Sequence, residues 1–174
     1  MDSHYDQVMK ARDAAHGPAR LYFAYSTILD RDAFLEWRHQ HGYDFFDLPQ
    51  GQVARAEDTA LVYDFPSRWW GGRVAGLVDR PGSVVWGRVF EVPARDWPII
   101  QHKEGAVTSM CVERPVRVQL EGAVQTVEAT AFTTNPRRAS TEGPVSQRFV
   151  DALMRGAEAA GLPEDYVRSL AKVD

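Results

Sequence analysis

Leu21-Tyr22-Phe23-Ala24-Tyr25, followed by Ser26-Thr27-Ile28-Leu29 and then Asp30, is the stretch on which the fold turns. Its first five residues form an apolar and aromatic run of strand length, and such side chains favour a buried, pleated backbone. Residues 26–29 read as a loop. Asp30 is placed to cap the next helix, its carboxylate accepting from free amides of the first turn. Phe34, Trp37, Arg38 and His41 then share one face at helical spacing.

Outward from this stretch, strands and helices alternate without a fixed rhythm. Upstream, residues 1–19 are polar and end on Gly17-Pro18; they read as a loose leader or a short peripheral helix. They carry no basic and apolar signal-peptide pattern. Downstream, residues 53–65 favour an extended chain, with a break expected at Pro66-Ser67. Residues 73–78 and 83–92 read as two strands joined by a turn at Arg80-Pro81-Gly82. Residues 94–103 suit a short helix that buries Trp97 and Ile100 and ends at Glu104-Gly105. Val116, Val118 and Leu120 alternate with Arg117, Gln119 and Glu121, the mark of a half-buried strand, and Gly122 turns the chain into its partner at Val127, Ala129 and Ala131. After a polar loop over residues 135–144, the spacing of Val150, Leu153, Met154 and Ala157 predicts a helix that Gly161 stops. Pro163, Glu164 and Asp165 suit the first turn of a last helix.

Five or six strands and three or four short helices in this order lack the strict repeat of a doubly wound sheet. The expected class is α+β: a small mixed, largely antiparallel β-barrel flanked by short helices, formed as one domain by residues 20–174 behind a leader of residues 1–19.

Composition narrows the function. The chain has 174 residues, 44% hydrophobic and 25% charged, with a net charge of −4. That describes a globular protein without the basic footprint of a nucleic-acid binder. No apolar run approaches the ~20 residues of a membrane span. A soluble cytoplasmic protein that binds neither nucleic acid nor membrane is expected, as a monomer or homodimer. His39 and His41 would point apart on a helix, and no cluster has zinc spacing, so no metal or other cofactor is expected. The single cysteine, Cys111, lies in an extended segment with no basic neighbour to activate it, and reads as structural. Trp69 and Trp70 read as a structural plug beside the permissive Gly71-Gly72.

Five segments together carry a resemblance. Tyr22-Phe23-Ala24-Tyr25-Ser26-Thr27-Ile28-Leu29 resembles the Tyr-Phe-Ala-Tyr-Gly-Ser-Asn-Leu signature of the γ-glutamylcyclotransferase family. Trp70-Gly71-Gly72-Arg73-Val74-Ala75 and Val85-Trp86-Gly87-Arg88-Val89 resemble two further stretches of that family. His102-Lys103-Glu104-Gly105 resembles the segment with its catalytic glutamate. Gly156-Ala157-Glu158-Ala159-Ala160-Gly161-Leu162-Pro163 resembles a helix junction near its end. The five occur in the family's order over residues 20–172.

The resemblance implies a γ-glutamyl-amine cyclotransferase. In that reaction the α-amine of a γ-glutamyl group attacks its own γ-carbonyl, giving 5-oxoproline and releasing an amine or amino acid. Glu104 is implied as the general acid and base. Tyr22, Phe23, Ala24, Tyr25, Ser26 and Thr27 are implied as the substrate loop, with Phe149 lining the pocket. Three positions depart from the family: Ser26 replaces a glycine, Ile28 an asparagine and Phe149 a tyrosine. They imply a remodelled binding site that suits a relative acting on a bulkier γ-glutamyl amine, or one that has drifted to another function. The alternatives on the same fold are a γ-glutamyl amide hydrolase and a non-catalytic small-molecule-binding protein.

Overall fold

Alternation along β1 (Arg20–Ala24) sets the architecture. Successive side chains of a strand point to opposite faces. Phe23 enters one apolar cluster, while Tyr22 and Ala24 enter a second. Both faces of β1 are thus covered, which is why its sequence is continuously apolar. The structure, a computed structural model, describes residues 4–173.

Strands β2 (Gln52–Ser67), β3 (Gly72–Val92), β4 (Cys111–Leu120) and β5 (Thr126–Thr134) join β1 in a closed barrel of order β1-β3-β2-β4-β5. Every pairing is antiparallel except β1 with β5, where Tyr22 faces Thr130 in parallel. This is the mixed, largely antiparallel α+β barrel expected from the sequence. A five-stranded barrel has a narrow lumen, and small side chains fill it without strain. Ala54, Ala56, Ala129 and Ala131 accordingly share the interior cluster with Phe23, Val85, Val116 and Val118.

Among the helices, α4 (Gln147–Ala159) adds Phe149, Leu153 and Ala157 to that cluster. Ser146 caps α4, its hydroxyl accepting from the Phe149 amide at 3.1 Å. The second cluster lies on the other face of β1. There α1 (Tyr5–Ala14), α2 (Arg31–Gln40) and α3 (Trp97–Lys103) bury Val8, Phe34, Trp97, Ile99 and Ile100 against Tyr22, Phe90 and Phe132. Helix α1 is tied down further by Arg12, which pairs with Asp96 at 3.1 Å. Beyond Gly161 (φ 74°) the short α5 (Glu164–Ser169) completes the fold.

Three local expectations are corrected. Pro66 does not break β2 but pairs with Arg73 inside the β2–β3 hairpin. β4 pairs with β2 only at residues 54–56, so Pro66 sits where the strand has a free side and needs no donor there. Arg80-Pro81-Gly82 does not separate two strands, because β3 runs through it. Asp58 takes φ 50°, the register shifts between Glu57 and Thr59, and the Gly82 amide donates to Asp58 Oδ1 at 2.9 Å. Such an irregularity bends a strand without ending it. Asp30 occupies the N-cap position of α2 but makes no side-chain cap. Its carboxylate is engaged instead by Arg155 of α4 at 3.1 Å.

Candidate active site

Glu104 stands where α3 ends. The chain leaves the helix at Glu104 (ψ 2°), and Gly105 turns it away at φ 79°, a conformation that glycine adopts without penalty. The buried Trp97, Ile99 and Ile100 fix the helix, and so fix its end.

The carboxylate is held from the barrel. Tyr22 Oη donates a hydrogen bond to Glu104 Oε1. Tyr22 is 1% exposed. Its burial, and then the adjacent Glu104 charge, lift the phenol well above its ordinary pKa, so it remains a proton donor at neutral pH. Oε2 of Glu104 accepts no hydrogen bond from the described residues. One oxygen is thus tied to the scaffold and the other left unengaged.

Glu104 lines a cavity of about 440 Å³, and so do Tyr25, Ser26, Thr27 and Phe149. These residues come from β1's exit with its adjoining loop, from the end of α3 and from α4, three stretches far apart in sequence. After Ser26 the chain forms a single 3₁₀ turn, Thr27–Leu29, whose first bond runs from the Leu29 amide to the Ser26 carbonyl at 3.1 Å. The first amides of any helix lack partners within it. No carbonyl of the described residues accepts from the Ser26 or Thr27 amide. Ile28 points away from the cavity, into the second cluster, and anchors the loop.

Helix α4 presses on this loop through Gly156. A Cβ there would lie 2.6 Å from the Asp30 nitrogen and 2.8 Å from the Leu29 carbonyl carbon, so only glycine permits the approach.

The remaining implied residues sit elsewhere. Phe23 lies inside the barrel, Ala24 lies in the second cluster, and neither lines the cavity. Tyr22 reaches the site through its bond to Glu104. Tyr25 offers its ring to the cavity, while its hydroxyl donates to the Phe132 carbonyl at 2.5 Å. Trp70 packs edge-on to Phe149 with centroids 5.3 Å apart. Trp69 is 66% exposed and forms wall rather than plug.

Cys111 opens β4 and also lines the cavity. Burial, and then the Glu104 charge, push its thiol up to about 12, which keeps it protonated and unreactive at neutral pH.

The sequence reading missed one side of the site. Trp37 and His41 do share a helical face, as their spacing indicates, but that face meets the end of α3. Their rings stack at 4.6 Å, and the His41 and His102 rings meet edge-on at 5.1 Å. Tyr43 Oη lies 2.8 Å from His102 Nδ1. In the sequence only the four-residue spacing of Trp37 and His41 hinted at this wall.

Replacing Tyr22 by Phe removes the tether of Oε1 without touching the cavity wall. If Glu104 works on a bound substrate, kcat should fall ~10-fold, about the worth of one hydrogen bond to a charged group, with KM nearly constant. Steady-state kinetics on the variant give both numbers. An unchanged kcat would mean that the tether positions nothing.

Among the described residues, no group of three or more His, Cys, Asp or Glu side chains is arranged to hold a metal ion. No helix there is long and apolar enough to cross a membrane.

Residues 84–170 match the sequence model of the AIG2-like family. A γ-glutamylcyclotransferase from Bos taurus is 25% identical over 162 residues, which cover 91% of this chain and 80% of that protein. A γ-glutamylcyclotransferase from Homo sapiens is 27% identical over 126 residues, covering 70% of this chain and 65% of that protein. The solved structure of a γ-glutamyl cyclotransferase superposes with a TM-score of 0.72 at 23% identity, over 90% of this chain and 88% of that one.

Proposed function

This chain belongs to the AIG2-like family, and from that membership and the geometry around Glu104 we propose that it is a γ-glutamylcyclotransferase-type enzyme acting on a γ-glutamyl amine or amino acid. The observation that carries the reading is the state of the Glu104 carboxylate. One oxygen accepts from Tyr22 and the other takes no bond from the described residues. A surface carboxylate would have no such tether. A binding module would have little use for an unengaged carboxylate oxygen on a residue that lines the same cavity as Ser26 and Thr27.

The chemistry follows from what the substrate brings. At neutral pH its α-ammonium cannot attack, and Glu104 takes one proton from it. The freed α-nitrogen forms a bond to the γ-carbonyl carbon of the same molecule. Ring closure supplies its own proximity, so no protein nucleophile is needed. Glu104 then delivers its proton to the departing nitrogen and the old carbon–nitrogen bond breaks. The ring nitrogen sheds its second proton to the released amine, so 5-oxoproline and an ammonium leave. One amide bond replaces another, and no water is consumed. A single carboxylate serves as base and then acid.

The Ser26 and Thr27 amides suit the polar end of the γ-glutamyl group. Phe149 and Trp70 suit an apolar portion of the leaving amine. The replacement at Phe149 leaves that wall without a hydroxyl, which favours leaving groups bulkier and less polar than simple peptides. A volume of about 440 Å³ suffices for a γ-glutamyl group with such an attachment.

The test is incubation of the purified chain with a panel of γ-glutamyl amides and measurement of 5-oxoproline. Release from at least one member is expected. A panel whose members bind but are never cyclised would contradict the reading. Cys111→Ser should turn over like the parent, because a protonated, half-buried thiol takes no part in these steps. Loss of 5-oxoproline release in a normally melting Cys111→Ser would put the sulfur into the chemistry.

A further inference from the structure

The cavity contains one cation that the reaction just described does not use. Lys103 is the only lysine or arginine among the described residues that line it. It is half-buried, and burial lowers its pKa, against which the charge of Glu104 acts. Its ammonium makes no hydrogen bond or salt bridge with the described residues. Its one specific contact is the face of Trp37, at 5.7 Å from the ring centroid. Most other basic groups near buried surface are paired: Arg12 with Asp96, Arg114 with Asp79 and Arg155 with Asp30.

Glu36 and Glu104 also line the cavity, so an entering carboxylate meets like charge on two sides. Partly desolvated charges are costly unless matched. An ammonium without a hydrogen-bonding or salt-bridge partner among the described residues, next in sequence to the proposed base, offsets that repulsion and offers three donors.

We propose that Lys103 is a specificity-determining residue whose ammonium pairs with a carboxylate of the substrate. Two sources present that chemistry: the α-carboxylate of the γ-glutamyl group and the carboxylate of a departing amino acid. The inference rests on the γ-glutamyl reading, and its test separates the two sources as well as the two claims.

Lys103→Met keeps the length of the side chain over Trp37 and removes the charge. Its KM for γ-glutamylalanine should rise ~10- to 100-fold, the worth of a hydrogen bond to a charged group, with kcat near the parent's. γ-Glutamylethylamide has no leaving-group carboxylate. An unchanged KM for it assigns Lys103 to the departing amino acid, and an equal rise for both assigns it to the α-carboxylate. Lys103→Arg, which keeps the charge, should recover most of the affinity. If Lys103→Met does not melt like the parent, Lys103→Gln takes its place. An unchanged KM for both substrates overturns the proposal, and so does a fall confined to kcat. If the parent cyclises neither substrate, it is the γ-glutamyl reading that fails. Lys103 is then judged by calorimetric titration with glutarate. Binding lost in the charge-free variant supports a carboxylate site; equal binding by parent and variant, or binding by neither, overturns it.

Discussion

Glu104→Gln should lower 5-oxoproline release by ~10²–10⁴-fold, the usual worth of a positioned general base. The substitution keeps the size of the side chain and an oxygen able to accept from Tyr22. What it removes is the capacity to take a proton from the α-ammonium. Without that step the nucleophile stays protonated, however well the substrate is held. KM should change much less, because the Ser26 and Thr27 amides and the apolar wall are untouched. The fold should survive, since Glu104 lies outside both apolar clusters. Kinetics measured beside thermal melting separate these effects. A normally melting Glu104→Gln with the parent's turnover would place the base elsewhere.

Gly156→Val should damage the site from behind. In a helix interior the replacement gains a few tenths of a kcal/mol in propensity. Overpacking costs ~1–3 kcal/mol, and here the obstacles are backbone atoms of Leu29 and Asp30, which cannot swing aside as a side chain would. The clash therefore wins. A net loss of about 2 kcal/mol lowers the melting temperature by ~4–8 °C in a chain of this size. The larger effect is on catalysis. Relief of the clash moves residues 26–30 away from α4, and misplacement of a substrate loop by ~1 Å can cost ~10²-fold in rate. The Asp30–Arg155 pair spans the same contact and would be strained with it. Melting and turnover both equal to the parent's would mean that α4 does not hold the loop.

Strand periodicity and the short apolar runs made the barrel legible, because covering both faces of β1 leaves a direct trace in its residues. The resemblance pointed to the segments that converge on the cavity, including Glu104, residues 25–27 and Phe149. What sequence concealed was non-local. Alternation in residues 20–25 puts Tyr22 and Phe23 on opposite faces, but the partners across each face come from the tertiary fold. Tyr22, which the resemblance implies as part of the substrate loop, lies within β1 and holds Glu104 through its hydroxyl. Asp30 had the chemistry of a cap, yet Arg155 offered its carboxylate a charged partner. Pro66 and Gly82 had the chemistry of breaks, but a free strand side and a bulge absorbed them. Gly156 carried no visible reason to be glycine until the backbone facing it was known. Lys103 carries no mark in the sequence, because a lysine at a helix end is ordinarily solvated, and its place in the cavity over Trp37 joins residues more than sixty apart.

The central claim is that the carbonyl is attacked by the substrate's own amine, with Glu104 moving the proton. Product analysis in ¹⁸O-labelled water tests it most directly. γ-Glutamylalanine, or the best substrate of the panel, should yield 5-oxoproline and the free amine in equal amounts, with no label in either. Labelled glutamate in place of 5-oxoproline would show that water is the nucleophile, and would contradict the account.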